Sequence, residues 1–322
     1  MAALLEVKHL KKYFPTNKGV VHAVDDVTFS LDAGKTMGVV GESGCGKSTL
    51  GRTIIHLQDS TDGQILFEGE DVTHVKGKEL KKLRENMQII FQDPYSSLNP
   101  RMSVHDTIVE PLILSGKFKG PALEKEASRL MDMVGIESRL RGAYPHEMDG
   151  GRRQRVGIGR ALALNPKFIV CDEPVSALDV SIQAQVLNLL MDLQDEFKLT
   201  YMFVTHDLSV VRHISDSICV MYLGQLVETC DTKELFAHQL HPYSKALLSA
   251  IPSTDIHHPT KRIVIKGEIV SPIDPKPGCR FAARCPHACE RCHQPQQLEE
   301  VTPGHYVACC RVRELNEELS RA

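Results

Sequence analysis

No apolar run in this 322-residue chain approaches the ~20 residues that a helix needs to cross a bilayer. Any membrane association is therefore expected to come through a partner. Neither charge sign is in surplus. The 38 Lys and Arg residues against 41 Asp and Glu leave a net charge of −3, too small for bulk attraction to nucleic acid or anionic lipid. Internal repeats and low-complexity tracts are missing too. The first residues, Met1 to Tyr13, alternate Leu and Val with Glu, His and Lys, which is strand patterning and not the continuous apolar stretch of a secretory signal. The expected location is cytoplasmic. What remains is an ordinary globular composition, 42% hydrophobic and 25% charged, long enough for one large or two modest domains.

Cysteine usage is uneven. Cys45, Cys171, Cys219 and Cys230 are scattered, whereas Cys279, Cys285, Cys289, Cys292, Cys309 and Cys310 crowd the C-terminal end. In a reducing compartment such crowding points to metal ligation before disulfides.

Short apolar runs alternate with helical periodicity. Thr36–Val40, Met87–Phe91, Phe168–Cys171, Tyr201–Thr205 and Ile218–Tyr222 read as strands. Leu123, Ala127, Leu130, Met131 and Val134 mark one helix face, and Ile182, Val186, Leu189, Leu190 and Leu193 mark another. That alternation predicts an α/β domain on a mainly parallel sheet. Composition shifts near Pro252, where prolines multiply, so residues 253–278 read as a linking segment and 279–322 as a small metal-stapled appendix.

The first strand runs into Gly41-Glu42-Ser43-Gly44-Cys45-Gly46-Lys47-Ser48-Thr49, with helical spacing after it. This is the phosphate-loop pattern in its confirming context, strand before and helix after, which sets aside a chance glycine-rich turn. The glycines let backbone N–H groups turn inward on a nucleotide's β- and γ-phosphates, and the positive helix end adds to the attraction. Lys47 would neutralise phosphate charge and the Ser48 hydroxyl would ligate Mg²⁺. Asp172, ending an apolar strand, is placed to hold Mg²⁺ directly or through water. Glu173 beside it is the candidate general base for the attacking water. His206 follows another strand, at the edge where ligands bind in such sheets, and is the candidate γ-phosphate contact.

In order and spacing these residues resemble the ABC ATPase family: the Walker A loop, Gln92, Asp149-Gly150-Gly151-Arg152-Arg153-Gln154-Arg155, Asp172-Glu173, Ser176-Ala177-Leu178-Asp179 and His206. The resemblance covers roughly residues 4–250. It implies an ABC-type P-loop domain over 1–252 with a helical subdomain about 96–160. It also implies that Gln92 links Mg²⁺ and the attacking water to a membrane partner, and that Asp179 belongs to the segment crossing a dimer interface. An aromatic near the start usually stacks on adenine. Tyr13 and Phe14 are both candidates, Phe14 being the better placed because it precedes Pro15.

The stretch Gln92-Asp93-Pro94-Tyr95-Ser96-Ser97-Leu98-Asn99-Pro100-Arg101 and the run Met221-Tyr222-Leu223-Gly224 continued through His241-Pro242-Tyr243 look like the peptide- and nickel-importer branch. The tail Gly278-Cys279-x5-Cys285-Pro286-x5-Cys292, then His305-x3-Cys309, is similar to the C-terminal extension, here 253–322, of oligopeptide and dipeptide importer subunits. Nickel importers generally lack that extension, which favours a peptide substrate. The resemblance selects Cys279, Cys285, Cys292 and Cys309 as ligands of a [4Fe–4S] cluster. Four thiolates suit zinc as well, but the long spacings are less like the paired CxxC arms of a zinc ribbon, although Cys289-x2-Cys292 is present. Cys285-x3-Cys289-x2-Cys292 matches radical-SAM spacing, yet it lies in a short tail outside any barrel. The implied partners are a second ATPase subunit, two transmembrane permeases and an extracellular peptide-binding protein, at the cytoplasmic face of the plasma membrane. A nucleic-acid-associated or translation-type ABC ATPase with an iron–sulfur cluster is the alternative. It usually carries two ATPase domains or a long coiled coil, and neither occurs here.

One motif departs from the family. The signature segment usually reads Ser-Gly-Gly-Gln; here Asp149 replaces the serine and Arg152 the glutamine. Asp and Ser both cap helices well, so the helix is expected to survive. The phosphate contact is not, because an ionised carboxylate only accepts. At ~4 Å from a phosphate charge it would cost about 4 kcal/mol at an effective dielectric near 20. The signature acts in trans, so the expectation is an asymmetric heterodimer with a second ATPase whose own signature is intact.

Overall fold

The computed structural model describes residues 3–251, 262–265, 267, 271–316 and 319. The chain divides into two compact units: Met1–Leu31, Thr36–His74 and Val204–Ala322 form one, and Asp32–Lys35 and Val75–Phe203 the other. The expected linker 253–278 falls partly outside the described residues, at 253–261, 266 and 268–270.

In the first unit the strands Gly19–Asp32, Ala3–Thr16, Asp62–Phe67 and Glu70–Asp71 form a sheet in that order. A second sheet begins with Thr36–Val40, every residue of it buried, lying parallel to Ser217–Tyr222 with Val40 opposite Val220. Full burial on both faces explains why the run is continuously apolar and does not alternate. Beyond Ser217–Tyr222 the added strands are antiparallel: Gln225–Asp231, His305–Val307 and Glu299–Thr302. Helices Leu208–Ile214 and Pro242–Ser249 supply Leu208, Val211 and Tyr243 to a core shared with Val40, Val220, Tyr222, Leu235 and Phe281. Phe281 is 1% exposed, a burial worth about 2–3 kcal/mol. Cys279 and Cys285 pack against the same core.

The second unit pairs Met87–Ile90 with Phe168–Asp172 in parallel. Three helices follow in this unit, Val104–Ser115, Pro121–Met133 and Gly150–Leu162, and the second carries the expected apolar face with Ala127, Leu130 and Met131 buried. Ser103 caps the first by accepting the Asp106 N–H, and Pro121 opens the second, where its missing N–H costs nothing. Leu130, Ile108, Val134 and Ile158 are buried among them. Val180–Phe197 is the long helix whose stripe includes Val186, Leu190 and Leu193. Among the described residues no helix is long and apolar enough to cross a membrane.

A buried carboxylate ties the C-terminal hairpin down. Glu228, 0% exposed, accepts from the N–H groups of Leu240 (2.7 Å) and His241 (3.0 Å) and pairs with His305 Nε2 (2.8 Å). A buried carboxylate is tolerated only with such partners. His305, noted in sequence beside the cysteines, is thus committed to Glu228.

His241 caps the helix Pro242–Ser249 by accepting the Tyr243 N–H at Nδ1, which requires the neutral ring. Burial pushes its pKa down to about 4, against the opposing pull of Glu228. The depressed group is charged in the unfolded chain below about pH 6.5 but neutral in the fold, so its contribution is complete above pH 6.5 and lost as pH falls toward 4. Chemical unfolding at stepped pH should show a loss of about 3 kcal/mol between pH 6.5 and 4 from this residue. His241→Asn, which keeps an acceptor, should flatten that difference; equal slopes in both proteins would refute it.

Candidate functional site

The phosphate loop grows out of the buried strand Thr36–Val40 and ends in the helix Lys47–Ile54. Gly46, at the helix N-terminus, is left-handed (φ 106°), and a Cβ there would lie 2.0 Å from the Ala23 carbonyl oxygen. Only glycine fits. Lys47 is 4% exposed, and its ammonium donates to the carbonyls of Gly41 (2.9 Å) and Glu42 (3.0 Å). Gly41 to Lys47 therefore close round one positive charge, and Ser48 and Thr49 open the helix. Cys45 is buried, which pushes its thiol pKa up, and its carbonyl accepts the Gly224 N–H at 2.8 Å. The Glu42 N–H donates to the Tyr243 hydroxyl (2.9 Å), while its carboxylate receives both Nη groups of Arg284 at 2.7 and 3.2 Å.

Tyr13 and Phe14 sit half-buried on the strand Ala3–Thr16. Tyr13 stacks on His22, ring centroids 3.9 Å apart, and its hydroxyl donates to Asp25. Burial and the Asp25 carboxylate hold its phenol well above the ordinary range. Phe14 carries the Lys12 ammonium over its ring at 4.8 Å. His206 is exposed at the end of Thr200–Thr205. The turn holding it is built by Asp207, whose N–H reaches Thr205 Oγ1 and whose side chain caps the next helix.

In the second unit Asp172 is fully buried at its strand end. Glu173 follows in the left-handed region, φ 47°, a conformation costing a non-glycine residue about 1–3 kcal/mol. Its carboxylate accepts from Gln92 Nε2 at 2.9 Å, so the structure brings those two expected residues together. Asp149 caps Gly150–Leu162: Oδ1 accepts the Arg152 N–H (2.8 Å) and Oδ2 lies 3.3 Å from the Arg152 guanidinium. A Cβ on Gly151 would lie 2.6 Å from Ile182, so the signature glycines pack directly on the segment after Asp172-Glu173. Asp179 occupies the N-cap position of Val180–Phe197. The loop after Gln92 is pinned to the signature helix by Arg160 donating to the Ser97 carbonyl (2.7 Å) and by Arg153 over the Tyr95 ring (3.5 Å).

Two family models match: ABC transporter over residues 24–176, and oligopeptide/dipeptide transporter, C-terminal region, over 227–292. The oligopeptide transport ATP-binding protein AppF of Bacillus subtilis is 50% identical, covering 95% of this chain and 96% of that protein. The chain belongs to the ATP-binding subunits of the oligopeptide/dipeptide ABC transporter family. The dipeptide transport ATP-binding protein DppF of Haemophilus influenzae is 46% identical over 96% of this chain and 97% of its own length. Among solved structures, the dimeric ATP-binding cassette MJ0796 bound to ADP and Pi superposes with a TM-score of 0.65 and 28% identity, covering 71% of this chain and 98% of that one. Like its family, this ABC subunit is a transport ATPase with the ABC α/β fold.

Three cysteine sulfurs of this ABC subunit gather closely among the described residues. The sulfurs of Cys289, Cys292 and Cys310 lie within 4.8 Å of one another, and of these only Cys292 belongs to the expected four. The short helical turn Glu290–His293 brings Cys289 and Cys292 together, and the Cys292 carbonyl accepts the Cys279 N–H at 2.8 Å. Burial pushes the Cys279 thiol up to about 11, and the charges of Cys292, Cys309 and Cys285 push the same way. The Cys292 sulfur lies 3.9 Å from the Cys289 sulfur and 3.8 Å from that of Cys310. Cys309 and Cys310 are consecutive, so spacing alone does not tell which of them faces Cys292.

The two glycines inside the loop should respond differently to substitution. Gly46→Ala meets backbone and should cost about 3 kcal/mol or more. Gly44 is left-handed but faces open space, so Gly44→Asn should cost less than about 1 kcal/mol. Thermal melts of the two variants check this, and equal shifts would contradict it.

Proposed function

We propose that this chain is the ATP-hydrolysing subunit of an importer for di- or oligopeptides, at the cytoplasmic face of the membrane through two permease partners. An extracellular peptide-binding protein delivers the cargo to that assembly. The observation that carries this reading is one chain holding both a phosphate loop closed on a buried lysine and a C-terminal region matched over 227–292 to peptide transporters.

In this reading the amides of residues 41–49 and the Lys47 ammonium grip the triphosphate, and Phe14 or Tyr13 meets the adenine. Tyr13 already has one ring face on His22, which favours Phe14. Mg²⁺ bound at Ser48, Gln92 and Asp172 would neutralise phosphate charge. Glu173 orients and deprotonates the attacking water, and its hydrogen bond from Gln92 holds the carboxylate ready. His206 reports the γ-phosphate. Little covalent chemistry is asked of the protein, since positioning and charge stabilisation supply the rate.

The signature supports an asymmetric pairing. Asp149 spends both carboxylate oxygens on its own helix end and on Arg152, and it offers no donor to a phosphate. This chain then provides the Walker residues of the competent site opposite the intact signature of a second ATPase subunit, with Asp179 at the shared interface. Four thiolates suit zinc and an iron–sulfur cluster alike, and the resemblance of the tail favours a [4Fe–4S] cluster held by Cys279, Cys285, Cys292 and Cys309. Its role here would be structural.

Affinity purification from detergent-solubilised membranes should bring down two integral permeases and a different ATPase chain. Glu173→Gln should lower the ATPase rate of that assembly by about a hundredfold or more, while the purified chain alone stays nearly inactive. Robust turnover by this chain alone, or an assembly with two copies and no second ATPase, would overturn the pairing. For the metal, anaerobic purification should yield iron and acid-labile sulfide in stoichiometric amounts. Stoichiometric zinc without absorbance near ~400 nm would exclude the cluster.

A further inference from the structure

The phosphate loop contains a carboxylate, Glu42, in a place where negative charge works against a triphosphate. Two unit charges roughly 6 Å apart at an effective dielectric near 20 repel strongly enough to weaken binding by about tenfold to a hundredfold. In this chain the charge is met by a residue far away in sequence. Arg284 delivers Nη1 to Glu42 Oε2 at 2.7 Å and Nη2 to Oε1 at 3.2 Å, a bidentate pair. The arginine side chain is 9% exposed and the glutamate 25%, so solvent screens the pair only in part. Nη1 also reaches the Tyr222 hydroxyl at 3.2 Å.

Arg284 sits in the cysteine-rich segment, directly before Cys285. The residue that seats it is Phe281, fully buried against Tyr222 (centroids 5.3 Å apart) and Tyr243 (5.4 Å). Tyr243 in turn accepts the Glu42 N–H. A second arginine, Arg280, directly after Cys279, donates to the Leu223 carbonyl and pairs with Asp25, the partner of Tyr13. The neighbouring Gly224 holds the Cys45 carbonyl of the loop. The segment Cys279–Cys285 therefore grips the loop at two points, by charge at Glu42 and through the Leu223–Gly224 turn at Cys45.

We infer that Arg284 is a positioning residue of the nucleotide site: it cancels and holds Glu42, so that the seating of the cysteine-rich segment sets the affinity of this chain for MgATP. The inference rests on the reading that residues 41–49 hold the triphosphate, and it adds a device by which the state of the thiol centre reaches the nucleotide. Loss of that segment's order withdraws the guanidinium and leaves a bare carboxylate beside the phosphates.

The test is a double-mutant cycle on the full-length chain, read by fluorescence titration with a mant-labelled non-hydrolysable ATP analogue and Mg²⁺. Metal and sulfide content are measured on every variant. Arg284→Met should raise the Kd about tenfold or more, and Arg284→Lys, which keeps charge but not the fork, about threefold. Glu42→Gln alone, which leaves the Arg284 charge unopposed beside the triphosphate, should lower the Kd about threefold or more. Arg284→Met with Glu42→Gln should return within about threefold of the wild type, because the penalty belongs to the uncompensated charge. An unchanged Kd in Arg284→Met, or a double variant as weak as the single, overturns the proposal, since a packing role would not be rescued at Glu42. No binding by the wild type removes the phosphate-loop reading itself. A wild type without metal removes only the cluster, and the rescue at Glu42 would then uphold the ion pair by itself.

Discussion

Everything chemical in this molecule depends on a single buried ammonium. Lys47 sits inside a turn of its own backbone, held by two carbonyls of the loop it closes. An ammonium out of water is costly unless its donors are satisfied. The loop carbonyls meet that requirement and keep the charge where an anion would arrive. The surrounding features follow from it. The strand Thr36–Val40 must be rigid and buried to aim the loop, and Gly46 must lack a side chain to let it pass the Ala23 carbonyl. The helix Lys47–Ile54 must begin where its free N–H groups face the ligand.

Much of this was legible because it is local. Strand boundaries at Thr36–Val40, Phe168–Asp172 and Ser217–Tyr222 agree with the apolar runs to within a residue or so, since full burial leaves no polar position to blur them. The Asp149 cap was legible for the same reason: it uses atoms three residues away. Less legible was whatever depends on pairing across long sequence separations. The antiparallel strands Gln225–Asp231, His305–Val307 and Glu299–Thr302 extend a sheet expected to be mainly parallel, and their short runs carry little periodic signal. Glu228 reads as an ordinary surface acid in sequence. Its burial follows only when Leu240, His241 and His305 converge on it.

The cysteines show the same limit in another form. The resemblance named Cys279, Cys285, Cys292 and Cys309, and among the described residues the sulfurs of Cys289, Cys292 and Cys310 lie within 4.8 Å of one another. Consecutive Cys309 and Cys310 cannot be told apart by position along the chain, and the turn Glu290–His293 brings Cys289 within reach of Cys292. Backbone geometry and not residue count decides which thiols meet.

The C-terminal segment, which in sequence looks like an appendix, shares its packing with the nucleotide loop. Phe281 lies in the same aromatic cluster as Tyr222 and Tyr243, and Tyr243 is the residue that holds the Glu42 amide. A glutamate in a phosphate loop is intelligible only with its counter-charge, and that counter-charge arrives some 240 positions later, beside a cysteine. The two features are best understood as one electrostatic unit: removing either alone leaves a buried or half-buried charge without its partner, the situation in which ion pairs matter most. That is why a thiol-rich segment far from the motif in sequence bears on how tightly the loop holds an anion.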